Sequence, residues 1–349
     1  MSMDCLRSMC CMKKQKRGRG KNAKAQAKQR NLDQESRQNE LRNLMFHNFS
    51  MQGEGPKKVD CQDSFTIIDN NPHIFHFFAV FDGHGSSGKE ASNAACDNFQ
   101  QFFEKRLEEI KRLKEDKKRD IFLKKTFKFC ETKLKVSGID YSNSGSCCIA
   151  IFLQGNGCTI ANLGDSRAVL FRRTPKDMLA IELSHDHKPT RKDEKERILR
   201  KGGKVERLKN NGEFVGPYRV WADEEGPGIA MSRTLGDLQG KKIGLISEPE
   251  LSHIELKPGD KFIVIASDGV WDVMNSAEVV GFILQADENE NPAEALVKEA
   301  RGRWVALNKA KKVNNKIGDY PSARRGIDDI TVVIGVLSFA IDEEPELYG

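Results

Sequence analysis

Phe77-Phe78-Ala79-Val80-Phe81-Asp82-Gly83-His84-Gly85-Ser86-Ser87-Gly88 is an apolar run that delivers an acid, a histidine and three glycines into a turn. Phe, Ala and Val without a polar break predict a strand buried on both faces. Asp-Gly at its end marks a tight turn, where backbone can approach a ligand closely. Two readings compete there. Gly83-x-Gly85-x-x-Gly88 fits a dinucleotide-binding fingerprint, whereas the alternative makes Asp82 a metal ligand. The fingerprint requires a second parallel strand ending in an acid about 20 residues on. Residues 98–113 instead carry Phe99, Phe102, Phe103, Leu107, Ile110 and Leu113 at three- and four-residue steps, the stripe of a helix. The nucleotide reading is set aside.

Outward from this stretch, residues 64–69 and 74–81 read as a hairpin turning at Asn70-Asn71-Pro72. One helix is predicted from 89 to 114 and another over 119–134. Residues 144–153, 157–163 and 167–172 are short and β-rich. The links Gly155-Asn156-Gly157 and Gly164-Asp165-Ser166 suit an antiparallel meander. Thr190 is placed to cap a charged helix ending at Gly202-Gly203. Residues 204–227 read as an irregular surface lobe. Strands are expected at 261–267 and 330–337, with helices at 276–285 and 292–308 between them. A short helix over 32–46 would lead into the body. Strands in runs and helices in pairs, without βαβ alternation, predict an α+β fold with mostly antiparallel sheets.

The chain has 349 residues, 38% apolar and 31% charged, as expected of a soluble globular protein. It has no apolar run of membrane-spanning length and no apolar signal-peptide core near Met1. Ser2 in place of Gly removes a myristoylation signal. The net charge of +6 misleads. Residues 1–30 hold ten Lys/Arg against Asp4 alone, so the rest of the chain carries −3, and nucleic acid is not an expected partner. Residues 1–31 lack hydrophobic period and are expected to be disordered. Three roles stay open for them. They could be a solvated tail, or carry a nuclear address over 13–21. Cys5, Cys10 and Cys11 beside the basic cluster could instead be palmitoylated, giving membrane contact. Location is accordingly expected to be cytoplasmic or nuclear, with peripheral membrane association as the third option. Nine cysteines without a Cys-x-x-Cys pair read as reduced core residues of an intracellular protein. Cys11 and Arg17 match the Cys-x5-Arg spacing of cysteine-dependent phosphatases, but no strand precedes them and the match is taken as chance.

Hard divalent cations take carboxylate oxygens, and several further Asp residues stand at predicted strand ends. Asp63 precedes the first strand, and Asp165 lies in Gly164-Asp165-Ser166. Asp268 ends the run Phe262-Ile263-Val264-Ile265-Ala266-Ser267 as Asp82 ends its own, with Asp272 four residues on. Asp328 and Asp329 open the last strand. Two buried runs ending alike could converge on one edge of a sandwich and build a two-metal site.

At these residues the chain resembles the metal-dependent protein serine/threonine phosphatases of type 2C. The blocks that carry the resemblance run in order from Lys58…Gln62-Asp63 and Val80-Phe81-Asp82-Gly83-His84-Gly85 through Ser144-Gly145-Ser146 to Ala161-Asn162-Leu163-Gly164-Asp165-Ser166-Arg167-Ala168. They continue with Asp186-His187-Lys188-Pro189, Ala230-Met231-Ser232-Arg233-Thr234-Leu235-Gly236-Asp237, Ser267-Asp268-Gly269-Val270-Trp271-Asp272 and Asp328-Asp329-Ile330-Thr331. The resemblance implies two antiparallel β-sheets packed as a sandwich, flanked on both sides by helix pairs. It places the phosphatase domain at 46–340, with a flap lobe at 192–223 that contacts substrates, a tail at 1–45 and an acidic tail at 341–349.

By the same resemblance, Asp82 bridges two Mg²⁺ or Mn²⁺ ions and the Gly83 carbonyl binds one. Asp268 and Asp328 hold the other, and Asp63 orients water. Asp165 and Asp272, with Asp268, match a third, weaker metal position. A water between two cations loses its proton near neutral pH and attacks phosphoserine or phosphothreonine in protein substrates. His84 is placed to protonate the leaving alkoxide, and Lys58 to meet the phosphate. Gln62 stands where many members have Glu, and Asp60-Cys61 replaces a smaller or Asn residue. Neither change removes a ligand, so an active, monomeric enzyme is expected. The rival is a catalytically silent scaffold on the same fold. His185-x-His187 lacks further ligands and reads as a structural turn rather than a zinc site.

Overall fold

The computed structural model describes residues 40–55, 60–69, 74–210, 213–222, 228–287, 289–314 and 326–339. Lys58, the basic tail over 1–31 and the 341–349 tail lie outside the described residues. The chain divides into two compact units, Asn43–Leu337 and the chain ends Met1–Arg42 with Ser338–Gly349, and the sandwich is built from the first.

Strand β1 (Leu41–Met51) comes first, where a short helix was expected, so the sheet begins inside the stretch assigned to the tail. β2 (Asp63–Ile68) and β3 (His76–His84) form the predicted antiparallel pair, with Asp63 directly opposite Asp82. Residues 76–81 of β3 are all buried, as an unbroken apolar run requires. The long predicted helix is broken in two, α1 (Gly88–Glu104) and α2 (Leu107–Ile110), yet Phe99, Phe102, Phe103 and Ile110 stay buried. α3 (Asp116–Lys135) packs on α1 through edge-to-face rings, Phe99 with Phe127 at 5.0 Å and Phe103 with Phe122 at 5.1 Å.

β4 (Gly145–Gln154) and β5 (Gly157–Leu163) make the expected hairpin. The meander then stops. β6 (Arg167–Arg173) leaves β5 for the other sheet, where β7 (Met178–Glu182) pairs with it. Gly164-Asp165-Ser166 is therefore a crossover between sheets. The backbone of Gly164 is already engaged: its N–H donates to His187 Nδ1 at 3.0 Å, and its carbonyl accepts the His187 N–H at 2.8 Å.

The charged helix α4 (Lys192–Arg200) starts after Arg191, without the predicted Thr190 side-chain cap. Residues expected to be irregular form a two-stranded sheet of β8 (Lys204–Asn210) and β9 (Glu213–Trp221). Its glycines and charges hide the pairing because its core is small: Ile198, Val205, Val220 and Leu245 are the buried members. β10 (Leu235–Gly236), α5 (Leu238–Lys242), β11 (Glu250–Glu255) and β12 (Asp260–Ala266) follow. Then come α6 (Asp268–Trp271), α7 (Ser276–Gln285), α8 (Pro292–Asn314) and β13 (Ile330–Phe339). α7 begins at a capping box in which Asn275 and Glu278 satisfy each other's backbone N–H groups.

One sheet runs β1-β13-β12-β6-β7, and the other runs β11-β5-β4-β3-β2 with β10 added against β4. Phe77, Ala79 and Phe81 face the cluster formed with α1 and α3, while Val264 and Ala266 face the one beneath α6–α8. The alternate residues Phe78, Val80, Ile263 and Ile265 are equally buried and belong to neither helix-side cluster, so they fill the space between the sheets. Gly335 of β13 approaches the Phe78 ring across that layer, and Phe46 of β1 packs edge-on against it at 5.3 Å. The result is the expected α+β sandwich with helices on both outer faces.

Candidate metal centre

Three carboxylates meet where the two sheets come together. Asp82 stands two residues before the end of β3, Asp165 lies on the crossover and Asp268 opens α6 after β12. Each offers an oxygen within 4.8 Å of the others'. Asp63 and Asp328 are close enough for their charges to raise Asp82 as well. Burial first, then Asp268, Asp63 and Asp165, holds the Asp82 carboxyl well above the usual carboxylate range. Asp63 is pushed up to about 7, mainly by burial, with Asp329 and Asp328 adding to it and Ser267 opposing.

Backbone packing fixes both Asp-Gly pairs, of which the first continues β3 instead of making the expected turn and the second opens α6. A Cβ on Gly83 would lie 2.3 Å from the Gly88 carbonyl oxygen and 2.4 Å from that of Gln62. A Cβ on Gly269 would lie 2.0 Å from the Asp329 oxygen. Only glycine lets the neighbouring chain come this close beside either acid. Two apolar runs ending in Asp-Gly were the visible sign of it.

Asp165 carries a cation already. Lys188 Nζ donates to its Oδ2 at 2.6 Å, and although burial alone would raise Asp165, that ammonium holds it below the usual range. Asp272 caps the C-terminal end of α6. It lies outside the three-carboxylate cluster, and its charge helps to raise Lys188 and Arg167. His84, the last residue of β3, is bonded through Nε2 to Asp237 at 2.6 Å.

The Protein phosphatase 2C family matches residues 56–313. The chain belongs to this family. It is similar to Probable protein phosphatase 2C 35 of Arabidopsis thaliana, 32% identical over 75% of this chain and 79% of the relative. Probable protein phosphatase 2C 48 of Oryza sativa subsp. japonica is 35% identical over 64% and 69%. In fold, the chain resembles the serine-threonine phosphatase 2C from Toxoplasma gondii, with a TM-score of 0.68 at 24% identity over 84% of this chain and 95% of that one. The protein is thus a serine/threonine phosphatase of the 2C family, a hydrolase acting on phosphoproteins.

Several supports of this phosphatase's site carried no signal of their own. Ser267 donates to Asp63 Oδ2 at 2.7 Å and accepts the Thr331 N–H at 3.0 Å, which ties the end of β12 to β13 and aims Asp63. Asp329 accepts the N–H groups of Gly53 at 2.7 Å and Gln62 at 3.0 Å. His187 is buried, and its Nδ1 accepts the Gly164 N–H. Buried Glu194 accepts from Arg197 and Arg233, pinning α4 beside residues 232–234.

The crowded acids make the metal-free protein sensitive to pH. A carboxyl whose folded pKa is raised binds protons more readily folded than unfolded. Stability is then fully present below 3.8 and is lost as pH rises through about 7. Calorimetry in chelator should show a Tm several degrees higher at pH 5.5 than at pH 8, and Mg²⁺ should flatten that difference. A Tm that rises with pH in chelator would contradict the mutual repulsion described here.

Proposed function

We propose that this chain hydrolyses phosphoserine and phosphothreonine in proteins at a two-ion Mg²⁺ or Mn²⁺ centre. The observation that carries the reading is the convergence of the Asp82, Asp165 and Asp268 oxygens within 4.8 Å. The donor set fits such ions, because it is all oxygen and the neighbouring acids' charges, added to burial, raise Asp82. Asp82 and the Gly83 carbonyl would hold one ion, with Asp82 shared, and Asp268 and Asp328 the other. Asp165 and Asp272, with Asp268, would form a third, weaker position where Lys188 already supplies a positive charge.

Bound ions of this kind acidify water and offset negative charge on a phosphoryl group. The chain's own residues do the rest. Asp63, its Oδ2 fixed by Ser267, orients the attacking water. His84 gives a proton to the departing serine or threonine oxygen, which leaves poorly as an alkoxide. Lys58 meets the phosphate as a point charge. No covalent phosphoenzyme is required.

The test is hydrolysis of a phosphothreonine peptide with Mg²⁺ or Mn²⁺, with and without chelator. Turnover should require the metal and vanish with chelator. Turnover in chelator, or none with either metal, overturns the reading, and the second result favours a silent scaffold.

A further inference from the structure

His84 is held from one side. Its Nε2 lies 2.6 Å from Oδ2 of Asp237, a fully buried carboxylate. An ionised carboxylate only accepts, so Nε2 carries the hydrogen. Nδ1 is buried and has no hydrogen-bond partner among the described residues.

Three features set Asp237 in place. Its backbone is left-handed at φ +47°, the one non-glycine residue with positive φ among those described, directly after Gly236 at +76°. In the β10–β4 ladder Gly236 pairs with Gly145, and in the β3–β4 ladder Gly145 pairs with His84. Gly145 therefore stands at the crossing, and a Cβ there would come within 2.6 Å of Asp237 Oδ2. The Asp237 N–H donates to the Ser144 carbonyl at 2.9 Å, and the Gly236 N–H to the buried Glu131 carboxylate at 3.0 Å. Strained backbone, an obligatory glycine and a buried acid together serve one hydrogen bond to one imidazole.

We propose that Asp237 is the positioning residue for His84. It holds the ring by Nε2–H and so leaves Nδ1 as the nitrogen that delivers the proton. The inference rests on the phosphatase reading above. In the step it describes, the doubly protonated ring loses its Nδ1 proton as the phosphorus–oxygen bond breaks. The bonding pair stays with the serine or threonine oxygen, which takes that proton. The ring is left neutral, still donating from Nε2 to Asp237, until Nδ1 takes up another proton.

A double-mutant cycle tests this. Asn tolerates left-handed backbone at least as well as Asp, so Asp237→Asn keeps the turn. It should lower kcat on a phosphothreonine peptide ~10–100-fold, the usual effect of removing a group that orients a working one. Turnover of an aryl phosphate, whose leaving group needs no proton, should change less than about threefold. In a His84→Gln background the same substitution should cost less than about twofold on the peptide. Additive losses, or equal losses on both substrates, overturn the proposal.

Nitrogen-15 spectra of His84 in the Mg²⁺-supplemented full chain give an answer independent of turnover. The neutral ring should carry its hydrogen on Nε2, and Asp237→Asn should disturb that signature. A ring protonated on Nδ1 in the wild type overturns the proposal. Absence of turnover in the wild type would sink the phosphatase reading instead and leave the spectrum to decide this one.

Discussion

Replacing Asp82 with Asn should abolish nearly all phosphopeptide turnover, by about 10³-fold or more. That loss corresponds to the several kcal/mol that metal ions contribute to such a transition state. The size of the effect follows from where Asp82 stands. It is the acid on which the charges of Asp268, Asp63, Asp165 and Asp328 all act, and the centre of any shared position. Asparagine keeps the shape and removes the charge, so the fold should survive. In chelator the variant should even be more stable than the wild type, because the carboxyl whose ionisation burial and its neighbours oppose is gone. Steady-state kinetics, calorimetric metal titration and thermal melting read the three parts separately. Lost turnover with normal metal binding would remove Asp82 from the metal centre. Lost turnover with a collapsed melting transition would make its role structural.

His84→Gln should show a smaller but more selective loss. General acid catalysis contributes about 10²–10⁴-fold when the leaving group is an alkoxide, and little when it is an activated phenolate. Phosphothreonine peptide turnover should fall by that range while aryl phosphate turnover stays close to wild type. Metal titration should be nearly unchanged, since the imidazole lies outside the three-carboxylate cluster. Equal losses on the two substrates would take His84 out of the acid role, whatever its distance from the acids.

The acids were legible because of a physical habit of strands. An apolar run followed by Asp-Gly signals an acid near the end of a strand and a neighbour pressing against the glycine. Asp82 and Asp268 showed this, and their glycines prove to face backbone oxygens at distances no side chain allows. Asp63 and Asp328 were legible only in company with them. What stayed hidden depended on partners far along the chain. Asp237 lay in a quoted block without a role, because nothing local links it to His84, 153 residues earlier. Ser267 looked like the last residue of a strand, and only the return of Thr331 makes it a support for Asp63. The β8–β9 hairpin was lost in its own polarity, since a core of a few side chains leaves almost no alternation to read. β1 was missed for the opposite reason: its neighbour is the last strand, and its own exposed positions read as a helix or a tail.

That last pairing sets an order on the making of the molecule. β13 lies between β1 and β12, so the strand made last fills the middle of a sheet whose flanks were made long before. Until it arrives, a growing chain carries two unpaired strand edges and lacks Asp328. The acids proposed to hold the metal therefore cannot all be assembled before β13 is reached, however far the other sheet has folded. Synthesis itself keeps the site incomplete until β13 is made.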